Sequence, residues 1–165
     1  MADSTLQYFD QSYRDPQFFT TPELIRFCLQ VAQLQPNETM MDLGCGDGRS
    51  LRIAAEEFGA KAIGVELDDQ RFAEAQTMLQ QDELRERVEL RHASYLETPL
   101  EGVDVIYLYL TRYSLGMLSF RFEELLPPGI RIVVHTFTLP GYEHHEVHQF
   151  ATPMGEMIPV YLYCS

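Results

Sequence analysis

Three alternate glycines bracketed by two carboxylates, in Asp42-Leu43-Gly44-Cys45-Gly46-Asp47-Gly48, form the stretch of this 165-residue chain with the clearest capacity for chemistry. The glycines allow a tight reversal with no Cβ in the way, so a ligand can approach the main chain closely. A helix starting at Arg49 would offer unpaired N–H groups and the positive end of its dipole to a carboxylate or phosphate. No lysine lies in the turn, however, and Asp42 and Asp47 would repel a pyrophosphate. They would attract a cationic centre such as the sulfonium and ammonium of S-adenosylmethionine. The spacing agrees, because a dinucleotide fingerprint reads G-x-G-x-x-G, whereas this chain reads G-x-G-x-G with an acidic residue two places earlier. Glu66 closes the next apolar run, where a carboxylate would grip the two hydroxyls of a ribose.

These residues need a strand, a turn, a helix and a second strand to hold them, and the flanking sequence supplies that order. Residues 39–43 read as a strand, 49–58 as a helix that stops at Gly59, and 62–66 as the second strand. Ahead of them, Thr21 caps a helix with Pro22 at its first position. Asp68 or Asp69 caps a helix carrying Phe72, Ala75, Met78 and Leu79. A charged turn over 82–87 precedes a third strand at 88–92, which exits through Ala93-Ser94-Tyr95. Residues 103–110 are almost continuously apolar, as in a strand buried on both faces of a parallel sheet. A helix over 115–126, a strand over 130–136, and two strands over 142–150 and 157–163 complete the reading.

The run Met41-Asp42-Leu43-Gly44-Cys45-Gly46-Asp47-Gly48 with Gly64-Val65-Glu66 resembles the class I, seven-strand, S-adenosylmethionine-dependent methyltransferases. Phe19-Thr20-Thr21-Pro22, Asp47-Gly48-Arg49 and Leu125-Leu126-Pro127-Pro128-Gly129-Ile130-Arg131-Ile132-Val133-Val134-His135 sharpen the match. They make the chain similar to small prokaryotic relatives of the lysine methyltransferase of the mitochondrial ATP synthase c-subunit. The resemblance covers nearly the whole chain. It implies an α/β fold, a doubly wound, Rossmann-like, seven-stranded and mostly parallel sheet with an antiparallel C-terminal strand and helices on both faces. It also implies S-adenosyl-L-methionine as cofactor and a protein lysine as acceptor. Cofactor contacts would come from Asp42, Gly44, Cys45, Gly46, Gly48, Glu66, Leu67, Ser94 and Tyr95, with Cys45 acting through its backbone N–H. Family members usually carry Gly-Asp where this chain has Ala93-Ser94. A serine hydroxyl accepts the same adenine bond without charge, so Leu67 and the backbone of Tyr95 are expected to share that contact.

Methyl transfer from a sulfonium is an in-line displacement, so the protein must chiefly align a lone pair and exclude water. Tyr109, at the end of the central strand, and His135, at the end of the fifth, are the catalytic candidates. Each has an alternative as a packing or satisfied core residue. On a strand His144 and His148 share a face while His145 points away, and no cysteine is near, so no metal is expected. The place where base-modifying methyltransferases carry an Asn/Asp-Pro-Pro-aromatic motif holds Leu110-Thr111-Arg112-Tyr113. With a net charge of -13, this argues against nucleic acid; the charge itself favours basic partners or serves solubility alone, and the acceptor is a protein or a small molecule. One domain over 1–165 is expected, with residues 1–20 as a flap or leader. Three scattered cysteines and no signal peptide or membrane span point to the cytoplasm. The rival readings are a small-molecule methyltransferase, an S-adenosylmethionine-binding protein without transfer activity, and a nicotinamide oxidoreductase.

Overall fold

Alternating periods of apolar residues build alternating strands and helices, and the computed structural model describes them for residues 18–165. The order is α1 (Pro22–Val31), β1 (Thr39–Leu43), α2 (Arg49–Phe58), β2 (Lys61–Glu66), α3 (Asp69–Met78), α4 (Asp82–Arg85), β3 (Val88–His92), β4 (Val105–Leu108), α5 (Arg112–Leu125), β5 (Arg131–His135), β6 (Glu146–Ala151) and β7 (Met157–Cys164). The flap expected over 1–20 lies outside the described residues except for its last three.

Seven strands form one sheet in the order β3-β2-β1-β4-β5-β7-β6. The first five pair in parallel, and β7 runs antiparallel between β5 and β6. This is the doubly wound α/β sheet with a reversed final strand that the sequence implies. Strands with two buried faces divide their side chains between two cores. Met40, Val105, Tyr107 and Val133 pack with α1 and α2, while Met41, Leu43, Ile106, Leu108, Ile132 and Val134 pack with α5.

The chain winds first from β1 out to β3 and then returns to place β4 on the other side of β1. The carboxyl ends of β1 and β4 therefore flank the switch point where sheets of this kind bind ligands. Beyond them, the β6–β7 hairpin outruns the rest of the sheet. His135 and His148 both pair with Val160, and Gln149 to Ala151 continue pairing past the end of β5. The hairpin thus rises as a wall beside the carboxyl edge.

Three boundaries differ from the sequence reading. The α5 helix begins three residues before Leu115, because Thr111 caps it by accepting from the Ser114 N–H at 3.3 Å. Arg112 and Tyr113 accordingly belong to its first turn. The charged stretch after α3 closes into the short α4, and residues 142–145 form a loop ahead of β6.

Candidate active site

The β1 strand carries Asp42 and the glycine turn to the switch point. The Asp42 carboxylate is buried and accepts from the Ser50 hydroxyl. Burial pushes its pKa up to about 7; Ser50 opposes that shift, and the Glu66 and Asp47 carboxylates add to it.

The turn's N–H groups are used within the protein. Gly44 and Cys45 both donate to the Val65 carbonyl, at 2.8 and 3.0 Å, and Gly46 donates to Glu66 Oε2 at 3.0 Å. Gly48 donates to the Cys45 carbonyl at 3.0 Å, and the Arg49 N–H donates to Asp47 Oδ1 at 3.1 Å. The sequence reading gives the helix start to a ligand's carboxylate and the Cys45 N–H to the cofactor; here the N–H groups of Cys45, Gly48 and Arg49 are already bonded within the protein. The thiol of Cys45 is buried, and burial holds its pKa far above the ordinary range, so it is no nucleophile.

The charge of the turn also departs from the reading. Arg49 pairs with Asp47 at 2.6 Å, donates to the Thr20 carbonyl at 3.2 Å, and lies 4.6 Å from the centre of the Phe19 ring. Asp42 and Glu66 therefore set the negative field, and Arg49 is the cation among the described residues lining the cleft.

That cleft, about 60 Å³, is bounded by Asp42, Gly44, Cys45, Gly46 and Tyr109 with Phe18, Phe19, Thr20, Ser50 and Tyr107. Gly46 has φ of +57° and open space where a Cβ would stand. Gly48 has φ of +82°, and a Cβ there would come within 3.0 Å of Leu79, so it serves the packing of α2 on α3. Glu66 accepts from the N–H groups of Leu67 and Asp68, both at 2.9 Å. Glu66 and Leu67 sit at the tip of β2, and Ser94 and Tyr95 sit after β3. None of the four is in the lining of the cleft. Ser94 Oγ accepts from the Leu96 N–H at 3.2 Å, and the Tyr95 hydroxyl donates to Ser114 at 2.9 Å.

A second, larger cavity of about 490 Å³ adjoins the first. Its walls are the start of α1 (Thr21, Glu23, Leu24), the end of β5 (His135, Thr136) and the hairpin (residues 150–153 and Ile158). Phe19, Thr20 and Tyr109 line both spaces and so form the partition between them. Tyr109 stacks on His135 with ring centres 4.1 Å apart. His135 Nε2 lies 3.2 Å from Thr20 Oγ1 and 3.3 Å from the Tyr107 hydroxyl, and Nδ1 lies 3.0 Å from Thr136 Oγ1. Burial lowers its pKa to about 3. With both nitrogens engaged and the ring neutral, His135 bridges two elements and is poorly suited to take a proton from an acceptor.

The three histidines of the C-terminal segment do other work. His144 packs edge-on against Tyr161, His145 Nδ1 accepts from the Cys164 N–H at 3.2 Å, and His148 lies 2.7 Å from Glu146. No group of three potential metal ligands occurs among the described residues. Sequence reasoning passed over Thr20, Ser50, Tyr107, Thr136 and the pairing of Arg49. Only Arg49 had a signal, a guanidinium two residues after a carboxylate.

The model of the ANTKMT methyltransferase domain matches residues 42–146, from the buried aspartate to the start of β6. A protein-lysine N-methyltransferase of Saccharolobus islandicus is 33% identical over 132 residues, which is 79% of this chain and 82% of that protein. Cyclopropane mycolic acid synthase 2 of Mycobacterium tuberculosis is 27% identical over 79% of this chain, which spans about half, 47%, of that protein. An RNA methyltransferase of Salinibacter ruber, in complex with S-adenosyl-L-homocysteine, superposes with a TM-score of 0.80. It is 25% identical over 89% of this chain and 93% of its own. A glycine turn flanked by the buried Asp42 and Glu66 carboxylates, at the switch point of this sheet, suits a sulfonium donor. The chain belongs to the ANTKMT methyltransferase family and is an S-adenosylmethionine-dependent methyltransferase.

Proposed function

We propose that the enzyme methylates the amino group of a lysine in a protein, as a single domain working in the cytoplasm. The relationship to a protein-lysine methyltransferase over most of both chains carries this reading. The three cysteines, all free, are in keeping with a reducing compartment. No helix among the described residues is long and apolar enough to cross a membrane.

S-adenosylmethionine supplies an activated methyl group and leaves as S-adenosylhomocysteine. This chain's residues bind its ends, orient the acceptor and keep water out. The cleft beside Asp42 would take the methionyl end, with the buried carboxylate serving its cations and Arg49 its carboxylate. The adenosine would lie along the tips of β2 and β3, outside the lining of that cleft. There Glu66 would hold the ribose, and Leu67, Ser94 and Tyr95 would border the adenine.

The second cavity takes the acceptor. A lysine side chain needs a passage for four methylenes and a dry end where the neutral amine is favoured over the ammonium. Leu24, Phe150, Pro153 and Ile158 supply the apolar walls, and Tyr109 stands where this cavity meets the cleft. Tritiated S-adenosylmethionine incubated with the enzyme and an extract of cells lacking it tests the assignment. Counts that run with protein and appear as methylated lysine after hydrolysis are expected. Counts in RNA, as the Salinibacter likeness would suggest, or in small molecules would replace it.

A further inference from the structure

Thr136 is held in a backbone conformation that its side chain disfavours. It follows β5 directly and has φ of +73°, a region that β-branched residues avoid. The Phe137 N–H donates to the His135 carbonyl at 2.9 Å, which closes a three-residue γ-turn of the rare, strained kind centred on Thr136. Two contacts fix the turn. The Thr136 N–H donates to the Pro159 carbonyl on β7 at 2.9 Å, and Oγ1 lies 3.0 Å from His135 Nδ1. Strain of this kind persists where neighbouring contacts over-determine it, and it concentrates at ligand sites. Here the turn lies in the wall of the 490 Å³ cavity, which Tyr109 and Thr20 partition from the cleft.

We propose that Thr136 is an acceptor-contacting residue: the strained turn aims its hydroxyl oxygen at the N–H of the incoming nucleophile, so that the lone pair faces the methyl donor. The inference rests on the second cavity being the acceptor site, as read above. His135 is the positioning residue behind it. With its proton on Nε2, the ring donates to Thr20 or Tyr107, and Nδ1 accepts from the Thr136 hydroxyl. The lone pairs of the Thr136 oxygen are then left for the acceptor. An imidazolium would donate from both nitrogens and occupy one of those lone pairs, so the neutral ring belongs to the arrangement.

Thr136→Ser, Thr136→Val and Thr136→Gly test this by two measurements: the calorimetric Kd for S-adenosylmethionine, and the initial rate of tritium transfer into a cell extract. The rate is read in whichever fraction the wild-type counts appear. All three variants are expected to bind the donor within about twofold of wild type. Thr136→Val should transfer about tenfold more slowly, the worth of one hydrogen bond, while Thr136→Ser keeps at least about half the rate. Thr136→Gly should melt several degrees higher as the strain is relieved, yet transfer about tenfold more slowly. A Thr136→Val enzyme at the wild-type rate overturns the proposal. So does a loss of transfer matched by an equal loss of donor affinity, which would mark a structural role. Wild-type counts in RNA would sink the lysine assignment alone, because the Thr136 comparison is then read there. A wild type that binds the donor and labels nothing sinks both.

Discussion

Asp42 and His135 are buried ionisable side chains that pull stability in opposite directions with pH. Burial raises the Asp42 pKa from 3.8 to about 7, so between those values the folded protein holds a proton that the unfolded chain releases. Its contribution is full below about pH 4 and is lost as the pH rises toward 7. Burial lowers the His135 pKa from 6.5 to about 3, so that contribution is full above about pH 6.5 and is lost as the pH falls toward 3. Between about pH 4 and 6.5 the two slopes oppose each other, each at most about 1.4 kcal/mol per pH unit. The wild-type melting temperature should be nearly level there. Asp42→Asn should uncover the histidine slope and melt higher as pH rises; His135→Gln should uncover the aspartate slope and melt lower. A cation bound beside Asp42 favours its ionised form, so S-adenosylmethionine should raise the wild-type melting temperature more at pH 8 than at pH 5. Thermal melts at fixed ionic strength read all of this, and level curves for both variants would mean that neither group changes its proton affinity on folding.

The α5 helix steadies the loop after β3 through one buried cation. Arg121 is 7% exposed, donates to the Tyr95 carbonyl at 2.8 Å and to the Thr98 carbonyl, and its Nε is buried with no partner among the described residues. Burial lowers its pKa. Arg121→Met keeps the bulk and removes the buried charge but strands two carbonyls, so a net loss of about 1–3 kcal/mol is expected. Melting should fall by several degrees, and donor affinity severalfold as Ser94 and Tyr95 loosen. Unchanged donor affinity with lowered melting would confine Arg121 to stability. The sequence carried the elements of this fold well, because apolar period, caps and glycine stops are local signals. Residues 39–43 and 49–58 could be bounded at both ends for that reason. What it could not carry were contacts between distant elements: Arg121 reaching the loop after β3, Thr20 meeting His135 across 115 residues, and the donors of the glycine turn being taken by Val65 and Glu66. The positive φ of Thr136 was invisible as well, since a threonine after a strand gives no warning of a turn that glycine would normally occupy.

At the scale of the whole molecule, a net charge of -13 with a single lysine makes a field that attracts basic molecules and repels acidic ones. Long-range attraction acts on the encounter and is screened beyond about 10 Å at 0.1 M salt, whereas a group buried beside Asp42 is screened far less. Salt should therefore separate the two substrates. Raising sodium chloride from 50 to 300 mM should lower kcat/KM for a basic protein acceptor roughly three- to tenfold, mainly through KM. The calorimetric Kd for S-adenosylmethionine should change by less than about twofold. An RNA acceptor gives the opposite sign, because salt would weaken its repulsion from the acidic surface and transfer would speed up. A small neutral acceptor gives no slope. The same titration thus discriminates the acceptor classes by direction alone, and a flat response with an authenticated basic protein substrate would leave the acidic surface with a role in solubility only.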